Sequence, residues 1–466
     1  MTVKVTRRAK TRKQRRVNRK DRRQNQRQVQ VEIDAAIAEV VREVIERTLQ
    51  DEVTQLLGRA KGERRNLEDQ AVVEACCNRC GTQYRRYFYR GGFYGRGLLS
   101  FAAWGEIAVP RLSCVCGGMV DFEFVHLTPY GRLWFDLEER ARELAGVCVS
   151  LRDGVEVLAW CNGQPLSIAT VNRIVNETAV LAKAFHAGTF ERVPAVVMLD
   201  GIWLKMLEPT GEEYTDKKGR RRQRRKVRKF PLLVAYGVDP VSGERWLLDW
   251  ERGREEDEAS WRKLLERLLA RGLCGQRGLE LFVHDGSAGL EKAFECVYFG
   301  EGVERQRCIF HKLRNVGRDV MGAEGMSRKE RQERRAQVLK DAAEVYRGES
   351  EGEVRRHLGD FRAKWGGKEP KAVATLERDF ERTLAYLTVR ERARCRGQEY
   401  KVECLRATSA LERVQRHFRQ KARQVVIFHS DKGFEAGIQL VISHRHLADS
   451  PAEPWQRLLE QALLVA

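Results

Sequence analysis

AVVMLDGIWLKML, residues 195 to 207, sets Asp200 in the middle of an apolar, strand-like run. A carboxylate is costly to bury there unless something compensates its charge, and a metal ion would do so. A very basic break, KKGRRRQRRKVRK at 217 to 229, separates this run from FPLLVAYGV at 230 to 238 and RWLLDWE at 245 to 251. Those two segments read as further strands of the kind that pair antiparallel. A helix over about 255 to 271, the strand LELFVHDG at 279 to 286, a helix over about 287 to 296 and a short strand ending at Arg307 follow.

The predicted order is therefore strand, strand, strand, helix, strand, helix, strand, helix. With Asp200 in the first strand and Asp285 just past the fourth, this is the layout of a ribonuclease H-like α/β fold, whose first and fourth strands are neighbours. Two divalent ions about 3.5–4 Å apart at such a site would activate an attacking oxygen and stabilise a leaving one during displacement at phosphorus. Mg²⁺ or Mn²⁺ suits an all-carboxylate site with positions open to water and phosphate. Taken singly, each aspartate reads more readily as a turn or strand-end residue satisfied by hydrogen bonds.

Toward the N-terminus the composition shifts. Residues 1 to 30 hold thirteen Lys or Arg, one Asp and little that is apolar, which predicts a disordered basic arm able to release counterions from phosphates. Residues 31 to 70 carry an amphipathic helix, with Ile33, Ile37, Val40, Val44, Leu49 and Val53 among its apolar positions and Gly58 as its stop. That helix could pack on its own domain or pair with a second copy. Residues 71 to 130 place CNRCG and CVCGG around a strand-like stretch, resembling a zinc ribbon with Cys77, Cys80, Cys114 and Cys116 as Zn²⁺ ligands and Cys76 as a spare. Residues 131 to 190 read as helical, with a helix-turn-helix-like hairpin. Asn162, Gly163 and Pro165 make its turn, Ser167 caps its second helix, and Thr170, Asn172, Arg173 and Asn176 lie on the outer side, where they could meet DNA.

The 466-residue chain has a formal charge of +20, which points to a polyanionic partner, nucleic acid first. No apolar stretch reaches the roughly twenty residues of a membrane span, and no secretory signal is evident, so a cytoplasmic, membrane-free location is expected. Twelve cysteines without such a signal favour thiols or metal ligands over disulfides.

Several segments carry a resemblance. HDGSAGLEKAF (284 to 294), ERQRCIFHKLRNV (304 to 316), LRATSALERVQR (405 to 416), DEVTQLLGRAKGER (51 to 64), YFYRGG (87 to 92) and GEIAVPR (105 to 111) are similar to stretches of the Mutator-like transposase superfamily, including the Mutator-type transposases of bacterial insertion sequences. The resemblance implies a DDE transposase that binds the inverted ends of its own element as double-stranded DNA and performs metal-dependent strand cleavage and strand transfer. It implies Asp200, Asp285 and Glu412 as metal ligands, and Cys308 and His311 as an accessory pair that holds the active-site helix or contacts DNA. A catalytic domain would span 191 to 322 and 405 to 466, interrupted by an all-helical insertion at 323 to 404. Arg307, Lys312 and Arg314 would meet phosphates, as would Arg413, Arg416 and Arg419 beside Glu412 and the arginines of the basic break, Arg220, Arg221, Arg222, Arg224 and Arg225. Two ends joined at one target imply a homodimer or larger assembly, associated with the nucleoid in a bacterium. Ser409 departs from the family pattern, where Asn is expected. The rival readings are a DNA-binding regulator that lost catalysis and a simple ribonuclease H-like nuclease.

Overall fold

The computed structural model describes residues 12–147, 149–298, 300–322, 324–445 and 447. The chain forms two compact units, one made of residues up to 144 with 151–174, the other of 145–150 with the residues from 175 onward.

In the first unit, α1 (Arg12–Leu57) precedes β1 (Ala75–Cys77), β2 (Phe88–Leu99), β3 (Trp104–Cys114) and β4 (Val120–Phe122), followed by α2 (Phe135–Gly146), α3 (Leu151–Asn162) and the start of α4 (Ile168–Glu177). β1 pairs with β4 and β2 with β3, both antiparallel. Ile45, Leu49, Val53 and Leu57 recur every fourth residue, so they share one face of α1. That face closes over Leu98, Ile107 and Val109, and over Cys77, Phe88, Leu112 and Cys114. Upstream on the same helix, Val31, Ile33, Ile37, Val40 and Val44 are exposed. Residues 12–30, expected to be disordered, instead continue α1, while residues 1–11 of the expected arm lie outside the described residues. Arg, Lys and Gln are good helix formers, and extending a packed helix needs no new nucleus.

The helical hairpin has the expected turn. Asn162 Oδ1 accepts from Gln164 N at 2.9 Å, and Ser167 Oγ accepts from Thr170 N at 3.0 Å as α4 begins.

The second unit opens with α5 (Val180–Ala187) and is built on β5 (Val196–Thr215), β6 (Arg221–Val238), β7 (Arg245–Arg252), α6 (Glu258–Ala270), β8 (Leu281–His284), α7 (Ala288–Val297), β9 (Glu304–Arg307) and α8 (Ile309–Arg318). The predicted succession of strands and helices is present. The sheet order is β7-β6-β5-β8-β9, with β5, β6 and β7 antiparallel and β8 and β9 parallel to β5. Alternation along β5 feeds two cores: Val197 and Leu199 pack with Trp261, Leu264, Leu290 and Phe294 of α6 and α7, whereas Val196, Met198 and Ile202 face the other side.

That other side is covered by α9 (Arg328–Val345), α10 (Glu351–Trp365), α11 (Pro370–Glu377), α12 (Ala385–Cys395), α13 (Val402–Arg406), α14 (Ser409–Val425) and α15 (Asp431–His444). The stretch expected to be a helical insertion is helical and continuous with the sheet: Val338, Phe361, Leu376 and Tyr386 belong to the same core as Met198 and Val283.

One expectation is corrected here. The basic break at 217 to 229 is largely strand, because β5 and β6 extend well beyond the sheet as an exposed hairpin. Asp216 makes its turn by accepting from Lys218 N and Arg220 N at 2.9 and 3.0 Å. Acids then offset the arginine run: Asp216 to Arg222, Glu212 to Arg224 and Glu208 to Arg228, at 3.2, 3.4 and 3.5 Å. Among the described residues no helix is long and apolar enough to cross a membrane.

Candidate active site

The parallel register of β5 and β8 ends with Leu199 opposite His284, so the next residues, Asp200 and Asp285, emerge side by side. Asp285 Oδ1 accepts from Ser287 N at 2.9 Å as the chain turns into α7. Asp200 accepts from its neighbour Gly201 N and from Gln415 Nε2 of α14, both at 2.9 Å. Burial pushes the Asp200 carboxyl up to about 6, and the negative charge of Asp285 works in the same direction. His311 and the Gln415 amide oppose that rise without cancelling it.

Glu412 lies in the first turn of α14, its Oε1 3.4 Å from His311 Nε2. His311 is raised to about 9, chiefly by Cys308 beside it, with the charges of Asp200 and Asp285 adding to it. It is therefore a cation among acids at neutral pH. Burial disfavours the Cys308 thiolate, but His311 outweighs that and holds the thiol below its ordinary value. Cys308 Sγ also accepts from Thr408 N and Oγ1 at 3.3 and 3.4 Å. Thr408 immediately precedes α14, so Cys308, before α8, and His311, on it, both engage the start of the helix that bears Glu412.

Asp200, Asp285 and Glu412 are not drawn into one tight cluster. Among the described residues, the group of three or more ligand-type side chains with all donor atoms within 4.8 Å is formed by cysteines alone. Three like charges repel at close range, and His311, 3.4 Å from Glu412, also lies within the fields of Asp200 and Asp285. The donor set nevertheless fits hard divalent cations: all oxygen, partly buried, and with one carboxyl held well above its usual range by its surroundings.

A further acid belongs to this neighbourhood. Glu256, in the loop before α6, is raised first by burial and then by the charges of Asp285 and Asp200. Its Oε1 occupies the space that a Cβ on Gly201 would need, so a glycine beside Asp200 admits it. The surrounding sequence, ERGREEDEAS, is so acidic that nothing in it distinguishes this position.

The expected phosphate contacts divide. Arg314, Arg413, Arg416 and Arg419 are exposed, as are Arg220, Arg221, Arg222, Arg224 and Arg225 on the hairpin. Arg222 and Arg224 are already paired with acids, and Arg225 Nη1 donates to the His429 carbonyl at 2.8 Å. Lys312 is a correction: it is buried, its Nζ donates to the Arg378 carbonyl, and burial lowers it to about 8. It lies four residues after Cys308, on the inward face of α8. Arg307 Nη1 binds Asp379 Oδ2 at 2.6 Å, which ties the helical layer to the turn at Asp285. In the first unit Asn172 and Arg173 are exposed and Thr170 is half-buried, with Arg173 3.9 Å from Glu138.

Also in the first unit, Cys77, Cys80, Cys114 and Cys116 converge. Cys77 Sγ is 3.4 Å from Cys116 Sγ, and Cys80 Sγ is 3.7 Å from Cys114 Sγ. Four sulfurs around zinc at ~2.3 Å would stand roughly 3.8 Å apart, so the group fits a tetrahedral ion. Gly81 and Gly117 adopt positive φ, +69° and +80°, and turn the two knuckles. Backbone N–H groups of Cys80 and then Arg79 help bring the Cys77 thiol down to about 6, whereas burial pushes Cys114 up to about 12. Cys76 stands apart, its thiol directed at the Cys77 carbonyl.

Comparison with known proteins adds a family. The profile described as "Transposase, Mutator family" matches residues 12–449. The transposase for insertion sequence element IS905 of Lactococcus lactis subsp. lactis is 24% identical over 347 residues, covering 74% of this chain and 77% of that protein. The transposase for insertion sequence element IS406 of Burkholderia multivorans is 32% identical over 197 residues, 42% of this chain and 45% of that one. The solved Drosophila P element transposase strand transfer complex aligns with 67% of this chain and 91% of its own, with a TM-score of 0.39 and 9% identity.

Proposed function

The chain belongs to the Mutator family of transposases, and from that membership we propose that it binds the inverted ends of its own insertion sequence and cuts and rejoins DNA at a ribonuclease H-like DDE site. The observation that carries this reading is the strand register that sets Asp200 beside Asp285, with Glu412 brought toward them on a helix anchored through Cys308 and His311. Asp200, Asp285 and Glu412 are the residues that would hold a pair of Mg²⁺ or Mn²⁺ ions. Such a pair, when bound, supplies the charge that activates the attacking oxygen and stabilises the leaving one in both cleavage and strand transfer.

The chain's own residues do the rest. Gln415 fixes the orientation of one Asp200 oxygen. His311 holds Glu412 and balances its charge, and Cys308, which accepts from Thr408, ties the start of α8 to the start of α14. Arg413, Arg416 and Arg419, exposed on α14 at three-residue steps, would position DNA phosphates beside the carboxylates. In the first unit, a zinc-ribbon-like module with a structural Zn²⁺ and the hairpin of α3 and α4, presenting Thr170, Asn172 and Arg173, would recognise the element's ends. The exposed apolar positions from Val31 to Val44 of α1 favour a second copy as partner.

Incubating the protein with linear duplexes carrying the element's two ends, with and without Mg²⁺, tests this. Metal-dependent cleavage at the ends and joining to a target plasmid are expected for the wild type, with Glu412→Gln binding the same ends but leaving them uncut. Specific binding with no cleavage by the wild type would instead make the protein a DNA-binding regulator.

A further inference from the structure

Beside the carboxylates, a cavity of about 280 Å³ is lined by Trp203, Arg228, Lys229, Arg254, Glu255, Glu256 and Asp257. Trp203 follows Asp200 by three residues on β5, roughly 10 Å along the strand. It lines the cavity together with Glu256, whose carboxylate crowds against Gly201 and lies within the fields of Asp200 and Asp285. The Trp203 side chain remains 52% exposed. A lone exposed tryptophan is unremarkable on a surface. A tryptophan that lines a cavity with exposed Lys229 and Arg254 is a ready stacking platform with cations at its rim.

The pairing of the sheet opens a way in. β8 ends at His284, so on that side β5 is next engaged only at Met206, through its bridge to Phe428. The edge of β5 between Asp200 and Lys205 is therefore uncovered by β8. Asp200 and Trp203 project to opposite faces of the strand, and a nucleotide chain passing over this free edge would run from one to the other. Acceptors on Glu255, Glu256 and Asp257 suit the exocyclic amines of a base, and the cations suit its phosphate. A paired base in a duplex would have no ring face to offer.

The geometry points to a site for an unpaired nucleotide, in which a base turned out of the DNA duplex next to the phosphate held at the carboxylates stacks on Trp203, with its own phosphate met by Lys229 and Arg254. This rests on the DNA-processing function proposed above and adds a role for Trp203 and its pocket that the three carboxylates do not require.

The test uses the full chain and a short single-stranded oligonucleotide carrying 5-iododeoxyuridine, with the same sequence as a perfect duplex for comparison. Long-wavelength irradiation followed by peptide mapping is expected to place the adduct on the peptide containing Trp203 for the single strand, and to leave that peptide unmodified with the duplex. Trp203→Ala should weaken single-strand affinity about tenfold, the effect of losing one base–aromatic stack. Duplex affinity and thermal melting should be unchanged, and Trp203→Phe should keep most of the single-strand binding. Adducts confined to other peptides, or equal weakening of both DNA forms by Trp203→Ala, would overturn the proposal. A wild type that cleaves element ends yet fails these tests loses the pocket and keeps the parent reading. One that neither binds nor cleaves DNA loses both.

Discussion

Asp249 on β7 and Asp200 on β5 are acids in the same sheet with opposite surroundings. Asp249 is fully buried, and its oxygens accept from Arg267 Nε and Nη2 at 2.8 and 3.0 Å, from Arg271 Nη1 at 2.8 Å, and share a 2.7 Å hydrogen bond with His186 Nδ1. Burial alone would raise it, but His186 and Arg267 outweigh burial and hold it below the usual carboxylate range. Asp200 receives amide hydrogen bonds and the opposing charge of His311, and has acids for close neighbours, Asp285 foremost. The protein completes the first carboxylate itself and leaves the second short of positive charge. Burial alone therefore does not single out a candidate acid; a deficit of cations around it does.

Removing each charge should break the comparison cleanly. Asp200→Asn is expected to abolish metal-dependent strand cleavage, a loss well beyond the roughly 10–100-fold that an outer-shell partner costs, while DNA affinity in a gel-shift titration stays close to wild type. Asp249→Asn should do the reverse. Leaving Arg267 and Arg271 without their partner is expected to lower stability by about 3–5 kcal/mol in urea denaturation, with cleavage per folded molecule retained.

The two acids also differ in sign with pH. Asp200 titrates near 6 when folded against 3.8 for the ordinary group. The native state therefore binds the extra proton between those values, and stability falls as pH rises through that window. Asp249 is lowered, so the stability it contributes is present above the ordinary carboxylate value and disappears as pH falls through its folded value. In metal-free protein, Asp200→Asn should remove roughly 1–3 kcal/mol of the fall in stability between pH 4 and 7, measured by denaturant midpoints across that range. Curves for wild type and variant that stay parallel would show that Asp200 is not under this strain. The smallest effect concerns exposed cations. Arg416→Ala should weaken DNA binding across sequences and lower the slope of log affinity against log salt by about one, whereas Lys312→Met should leave that slope unchanged because Lys312 already serves the Arg378 carbonyl.

Much of the second unit was legible because its strands alternate and its acids fall at fixed places in the strand order. Parallel pairing of β5 with β8 then brings Asp200 and Asp285 together with no further information. Glu412 is proposed through resemblance alone, since nothing in RATSALERVQR itself tells a metal ligand from a surface glutamate. The β5–β6 hairpin was missed because a run of arginines is a poor strand by propensity, and its support comes from Glu208, Glu212 and Asp216 on the preceding segment. Lys312 was misplaced because its charge suggested solvent, although its spacing from Cys308 put it on the inner face. Glu256 was hidden among neighbouring acids and becomes evident only where its carboxylate meets Gly201.

The central claim is that Asp200, Asp285 and Glu412 together grip divalent cations. Anomalous diffraction from crystals of the protein bound to its element-end DNA and soaked in Mn²⁺ tests it most directly. Manganese peaks are expected at Asp200 and Asp285, with Glu412 released from His311 to join them. Manganese absent from that position while Glu412 remains on His311 would contradict it.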